Sequence, residues 1–126
     1  MKYTEAPELQ ALAEKIMNER PEMKDLLNAH IKYVWGNKDK KKGNGWVYGQ
    51  CHKIPEKERV VTSYHFIITF FDRAHLLSPE AQKLLMLHEL KHAGFDAESG
   101  KTWINDHDLQ DFKEIVKMNG IDWIER

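Results

Sequence analysis

Apolar residues recur at helical spacing near the start of the chain, where Leu9, Leu12, Ala13 and Ile16 share one face of residues 7–19. Pro7 suits a first-turn position, and Pro21 bars continuation. The spacing predicts an amphipathic helix over 7–19 and a short helical turn over 22–27. The period then changes. "HIKYVW" (30–35) and "GWVYGQCHKI" (45–54) alternate in character and are rich in aromatic and β-branched residues, as strands are. "GNKDKKKGNG" (36–45) lies between them, polar and with three glycines, and reads as a long hairpin loop. "PEKER" (55–59) reads as a charged turn, and the apolar run "SYHFIITFF" (63–71) as a strand covered on most sides.

From Ser78 the helical period returns. Ser78 is a good N-cap, Pro79 fits the first helical position and Glu80 complements the positive end of the dipole. This helix is expected to run to about Ala93, with Gly94 as its stop. A polar loop is expected over 95–105. A last helix is expected from His107 to Met118, capped by Asn105 or Asp106 and ended by Gly120. Three strands with hairpin-like connections, set among helices, predict an α+β domain with a small antiparallel three-stranded sheet.

Composition narrows the classes. A chain of 126 residues, 41% hydrophobic and 31% charged, is expected to form one domain over 1–126 with a real core and a solvated surface. A formal net charge of −1 argues against gripping nucleic acid over the whole surface, but leaves room for a local basic patch. Cys51 is the single cysteine, so neither an internal disulfide nor a thiolate zinc cluster can form within one chain. "MKYTEAPELQALAEKI" carries acids and lacks a continuous apolar run, unlike a signal peptide. No stretch approaches the roughly 20 apolar residues of a membrane span. A cytoplasmic setting is the expectation.

The candidate chemistry lies in "LLMLHELKHAGFD" (84–96). Residues four apart on a helix share a face, so His88 and His92 can present imidazole nitrogens to one ion. Glu89, about 100° further round, is placed to reach water at the rim of that site. This is the division of labour of HExxH: two ligands and a carboxylate base. A random ordering of this composition gives the bare pattern roughly 4% of the time, so its surroundings must add weight. They do: the motif sits in the best-capped helix, and His107 follows as a third candidate ligand. The residues between, 93–106, are long enough to turn back. Histidine suits a catalytic zinc better than Asp96, Glu98, Asp106 or Asp108, because a neutral imidazole leaves more positive charge on the ion.

"HELKH" followed by "HDLQDF" resembles the SprT-like zinc metallopeptidases. It is still more similar to a small group, the putative phage metallopeptidases, which combine a lysine-glycine hairpin, a "W-V-Y" strand and an "HD…DF" ending. The resemblance spans roughly residues 29–118. It implies a minimal zincin-like fold, zinc held by His88, His92 and His107, Glu89 as general base, and a peptide or protein as substrate. The chain departs from the larger SprT-like proteins in lacking a cysteine zinc ribbon, in carrying Asp108 where glycine is common, and in placing Phe112 one position later. Strand 63–71 is expected to pair with an extended substrate, as such an edge does in similar enzymes. Tyr64, Tyr48 and His65 are weak candidates for an oxyanion partner, and Asp106 or Asp108 for orienting a ligand imidazole. Three histidines also suit other first-row metals.

Lys38, Lys40, Lys41 and Lys42, near Trp35, Trp46 and Tyr48, admit a weak nucleic-acid contact or, more simply, a solvated hairpin tip that discourages edge aggregation. The alternative to a peptidase is a non-catalytic metal-containing protein that binds a protein or nucleic-acid partner through this hairpin. His30, His52, His65 and His75 read as ordinary surface or half-buried residues, and Cys51 as a small core residue.

Overall fold

The computed structural model describes residues 1–105. The final helix expected over 107–118 lies outside the described residues.

The first predicted helix forms as α1, Pro7–Glu19, with Pro7 in its first turn and Leu9, Ala13, Ile16 and Met17 buried. The short turn after it resolves into two 3-10 turns, Pro21–Met23 and Asp25–Asn28, which bury Met23 and Leu26. Ahead of α1 lies a strand the residue pattern did not predict, β1 (Tyr3–Glu5). All three of its side chains are exposed, so no buried alternation announces it. It is held by antiparallel pairing of Tyr3 with Gly36 and Glu5 with Val34 in β2 (Ile31–Gly36), and by an ion pair between Glu5 and Lys32.

The sheet departs from the antiparallel three-stranded expectation. It has four strands in the order β1-β2-β6-β5, where β5 is Gly49–Lys53 and β6 is Phe66–Phe70. β2 and β6 run parallel, with Ile31 opposite Phe66 and Trp35 opposite Phe70. β5 is antiparallel to β6, with Gly49 opposite Phe70 and Lys53 opposite Phe66. Alternation reports that a strand is half buried, not which neighbour it pairs with. The connection over 37–65 far exceeds the dozen or so residues a parallel crossover requires. β6 is one of the two inner strands, and its Phe66, Ile68 and Phe70 are fully buried.

The expected lysine loop is instead a small hairpin, β3 (Lys40–Lys42) with β4 (Gly45–Val47). Gly43, at φ +62°, takes the left-handed conformation its tight turn needs. The expected strand 45–54 is therefore two strands that break at Tyr48. Further 3-10 turns cover Glu58–Val60, overlapping the end of the expected charged turn, and Asp72–Leu76.

α2 spans Pro79–His92 and opens as predicted, with Ser78 Oγ accepting the Ala81 N–H at 3.1 Å. Its end differs. Ala93 is already extended and begins β7 (Ala93–Phe95), which pairs antiparallel with β8 (Thr102–Ile104) where a polar loop was expected. Gly94 thus belongs to a strand and is not a left-handed stop.

α1 and α2 pack side by side on one face of the main sheet. Between the layers, Leu9, Ile16, Met86 and Leu90 meet Phe66, Ile68 and Phe70. Lys32, Val34, Gln50, His52, Ile67 and Thr69 alternate with the core residues and so point to the other face. Among the described residues, no helix is long and apolar enough to cross a membrane.

Candidate metal centre

The last turn of α2 carries both motif histidines. Their Nε2 atoms lie 3.1 Å apart, and the rings meet edge to face with centroids 4.7 Å apart. His92 Nδ1 lies 2.7 Å from the carbonyl oxygen of Asn105. A carbonyl can only accept, so Nδ1 carries a proton and Nε2 is the nitrogen turned towards His88.

Two imidazole nitrogens this close share either a proton or a cation. Donors about 2.0–2.1 Å from a tetrahedral ion stand roughly 3.3–3.4 Å apart, close to the spacing found. The pair therefore fits two corners of a metal site. Among the described residues no group of three His, Cys, Asp or Glu comes together. The third predicted donor, His107, lies outside the described residues, as do Asp106 and Asp108.

Glu89 is only 4% exposed, between α2 and the edge strand β5. A Cβ added at Gly49 would stand 3.3 Å from Glu89 Oε2, so glycine at that position gives the carboxylate its room. Burial pushes the Glu89 carboxyl up to about 8, into the range of a group that accepts and returns protons near neutrality. Cys51, on the same strand, is pushed up to about 12 by burial and by the neighbouring Glu89 charge, and is no nucleophile.

The expected substrate edge changes. β6 is flanked by β2 and β5, so strand 63–71 cannot accept a further strand; among the described residues β5 is the outer strand. Ile54 N–H bonds to His65 O and Phe71 N–H to Tyr48 O, fixing the alternation along this pair. The backbone groups of Gly49, Cys51 and Lys53 consequently face the outer edge. That edge begins beside Glu89.

The β7–β8 hairpin holds residues that motif reading passed over. Asn105 N–H donates to His92 O at 2.8 Å, its side-chain amide donates to Lys91 O at 3.2 Å, and its Oδ1 accepts from Trp103 Nε1 at 2.9 Å. Trp103 lies directly on Gly94, where an added Cβ would be 2.1 Å from Nε1. The available signal was a glycine after a histidine helix, which also reads as a plain helix stop. Asp96 organises the turn of this hairpin: its Oδ1 accepts from Glu98 N–H at 2.9 Å, and such bonds hold its carboxyl below the usual range.

The weaker candidates have other duties. Tyr64 lies against the Lys32 ammonium, and the Tyr48 ring is half-buried against the core. His65 is 9% exposed; its Nδ1 accepts the His30 N–H at 2.9 Å, and its ring packs on Phe95. Burial first, then Arg59 and His30, lower its pKa from the ordinary 6.5. Protonation would break the His30 bond. Because the unfolded chain binds this proton more readily, the contribution of His65 is full above about 6.5 and is lost as pH falls through the lowered folded value. Urea melts between pH 7 and 5 should show that loss, and His65→Gln should reduce the slope. An unchanged slope in the variant would exclude His65 as its source.

Trp35 donates to Glu8 at 2.5 Å, stacks on His75 and meets Phe70 edge-on. Trp46 carries the Arg73 guanidinium at 3.8 Å and the Lys41 ammonium at 4.8 Å.

Compared with known families, the chain matches one family over residues 1–126, described as "putative phage metallopeptidase". No curated protein and no solved structure matches it.

Proposed function

The chain belongs to the putative phage metallopeptidase family, and from that premise we propose that it is a zinc-dependent peptidase of the HExxH type. His88, His92 and His107 hold the ion, and Glu89 is the general base. The observation that carries this reading is the facing pair of Nε2 atoms at 3.1 Å, with Glu89 buried one residue after His88. His107 is assigned by its place in the chain. Asn105 is hydrogen-bonded to His92, and two further residues span at most about 7 Å.

Zinc bound there would supply Lewis acidity, polarising the scissile carbonyl and acidifying water. The chain's own residues do the rest. The outward backbone groups of Gly49, Cys51 and Lys53 align an extended peptide by strand addition. Glu89 takes a proton from the attacking water on its carboxylate and passes it to the leaving amine nitrogen. Its buried position keeps bulk water from competing for that proton.

Elemental analysis of the purified chain should find one divalent ion, zinc in preference to others. His107→Ala should lose it to a chelator at much lower concentration than the wild type does. Equal retention would refute the assignment of His107, and a metal-free wild type inactive on peptides would refute the peptidase.

A further inference from the structure

We propose that the lysine hairpin β3–β4 is a docking surface for an acidic segment of the protein substrate, lying just beyond the scissile bond. This rests on the peptidase reading above.

Lys38, Lys40, Lys41 and Lys42 are all exposed, on a chain whose net charge is only −1. Four lysines within five residues, with Asp39 the one acid among them, make a local positive patch. The hairpin carrying it is fixed to the body. Arg73 stacks on Trp46 and lies 3.4 Å from Asp39, offsetting the acid among the lysines. Asp72 N–H donates to Lys38 O at 3.3 Å, and Lys40 Nζ donates to Gln50 Oε1 at 2.7 Å. A merely solvated tip needs no such clamp.

Position identifies the occupant. Only Tyr48 separates β4 from β5, and Lys40 pairs with Val47. An extended peptide on the outer edge of β5 advances about 3.3 Å per residue, so roughly two to four residues past Gly49 it comes level with the lysines. Gly49 is also where Glu89 sits, which places those residues close to the bond cleaved. Nucleic acid is the less favoured occupant, because stacking a base requires an open aromatic face. Trp35 is packed between His75 and Phe70, and Trp46 is covered by Arg73 and Lys41.

The test uses the full chain as Glu89→Gln, so that bound peptide is not consumed. Fluorescein-labelled peptides carry three glutamates, three glutamines or three lysines on one side or the other of a fixed neutral centre. Binding is read by anisotropy. Exposed pairs of this kind contribute about two- to fivefold each, so the glutamate peptide should bind roughly tenfold tighter, on one side only. The preference should vanish in 1 M salt, where the Debye length is about 3 Å. Adding Lys38→Glu, Lys41→Glu and Lys42→Glu together should turn the preference towards the lysine peptide. Lys15→Glu on α1 should not, and Lys40 is left in place because it anchors the hairpin. Melting curves establish that each variant is folded.

Equal binding of glutamate and glutamine peptides overturns the inference, even if the wild type cleaves both. So does a single-stranded oligonucleotide that binds through these lysines while the acidic peptide does not; the surface then belongs to nucleic acid. A one-sided acidic preference in a chain that hydrolyses no peptide supports the docking surface and removes the peptidase.

Discussion

Glu89→Gln is expected to keep its metal and its fold while losing peptide hydrolysis by about 10²- to 10⁴-fold. The change preserves shape and removes only the capacity to accept a proton. Glu89 lies off water, against Gly49 and near Cys51, where an ionised carboxylate is costly and a neutral amide less so. The melting temperature should therefore not fall. A fluorogenic peptide assay, elemental analysis and a thermal melt on one preparation check all three points. Activity within tenfold of wild type would remove Glu89 from the chemistry. Loss of the ion would make it a ligand instead. A non-catalytic metal-containing binding protein would show no change in any measurement beyond its own partner's affinity.

The second large effect is expected at Gly94. Its added Cβ would meet Trp103 at 2.1 Å from Nε1, 2.2 Å from Cε2 and 2.5 Å from Cδ1. No rotamer adjustment of alanine relieves this, so Gly94→Ala has to displace the indole or part the two strands. Overpacking of this kind costs about 1–3 kcal/mol. The consequence reaches His92, the proposed ligand. Trp103 donates to Asn105 Oδ1, and the Asn105 carbonyl holds His92 Nδ1–H at 2.7 Å. Losing a partner that orients a ligand imidazole lowers metal affinity about 10- to 100-fold. Chelator competition and urea unfolding measure the two effects. In a Trp103→Ala background the added penalty of Gly94→Ala should shrink, because the clash is gone. Wild-type metal affinity in Gly94→Ala would show that the hairpin does not position His92.

The two described α-helices and the face shared by His88 and His92 were legible in the sequence because their signals are local. Leu9, Ala13 and Ile16 repeat with the helical period, Ser78 caps, and His88 and His92 share a face by spacing alone. Strand partnership was not legible. The apolar run of β6 told of burial, and burial in a central strand looks the same whether its neighbours run parallel or antiparallel. That gap misplaced the outer strand of the described sheet by one, so the expected edge at 63–71 is instead β5. β1 was missed because its exposed residues are held by backbone pairing and one surface ion pair, which leave no apolar alternation to read. The β7–β8 hairpin was missed because Gly94 has two meanings. After a helix it commonly marks a left-handed stop, whereas here it makes room for an indole brought from nine residues away.

A peptidase that receives its chain on the outer margin of β5, Gly49 to Lys53, as proposed above, would grip what every polypeptide has in common. Such a rim offers little means of refusing a stranger. Discrimination then has to be exercised by what stands around the cutting groove, and this would let the groove stay unaltered while its target changes.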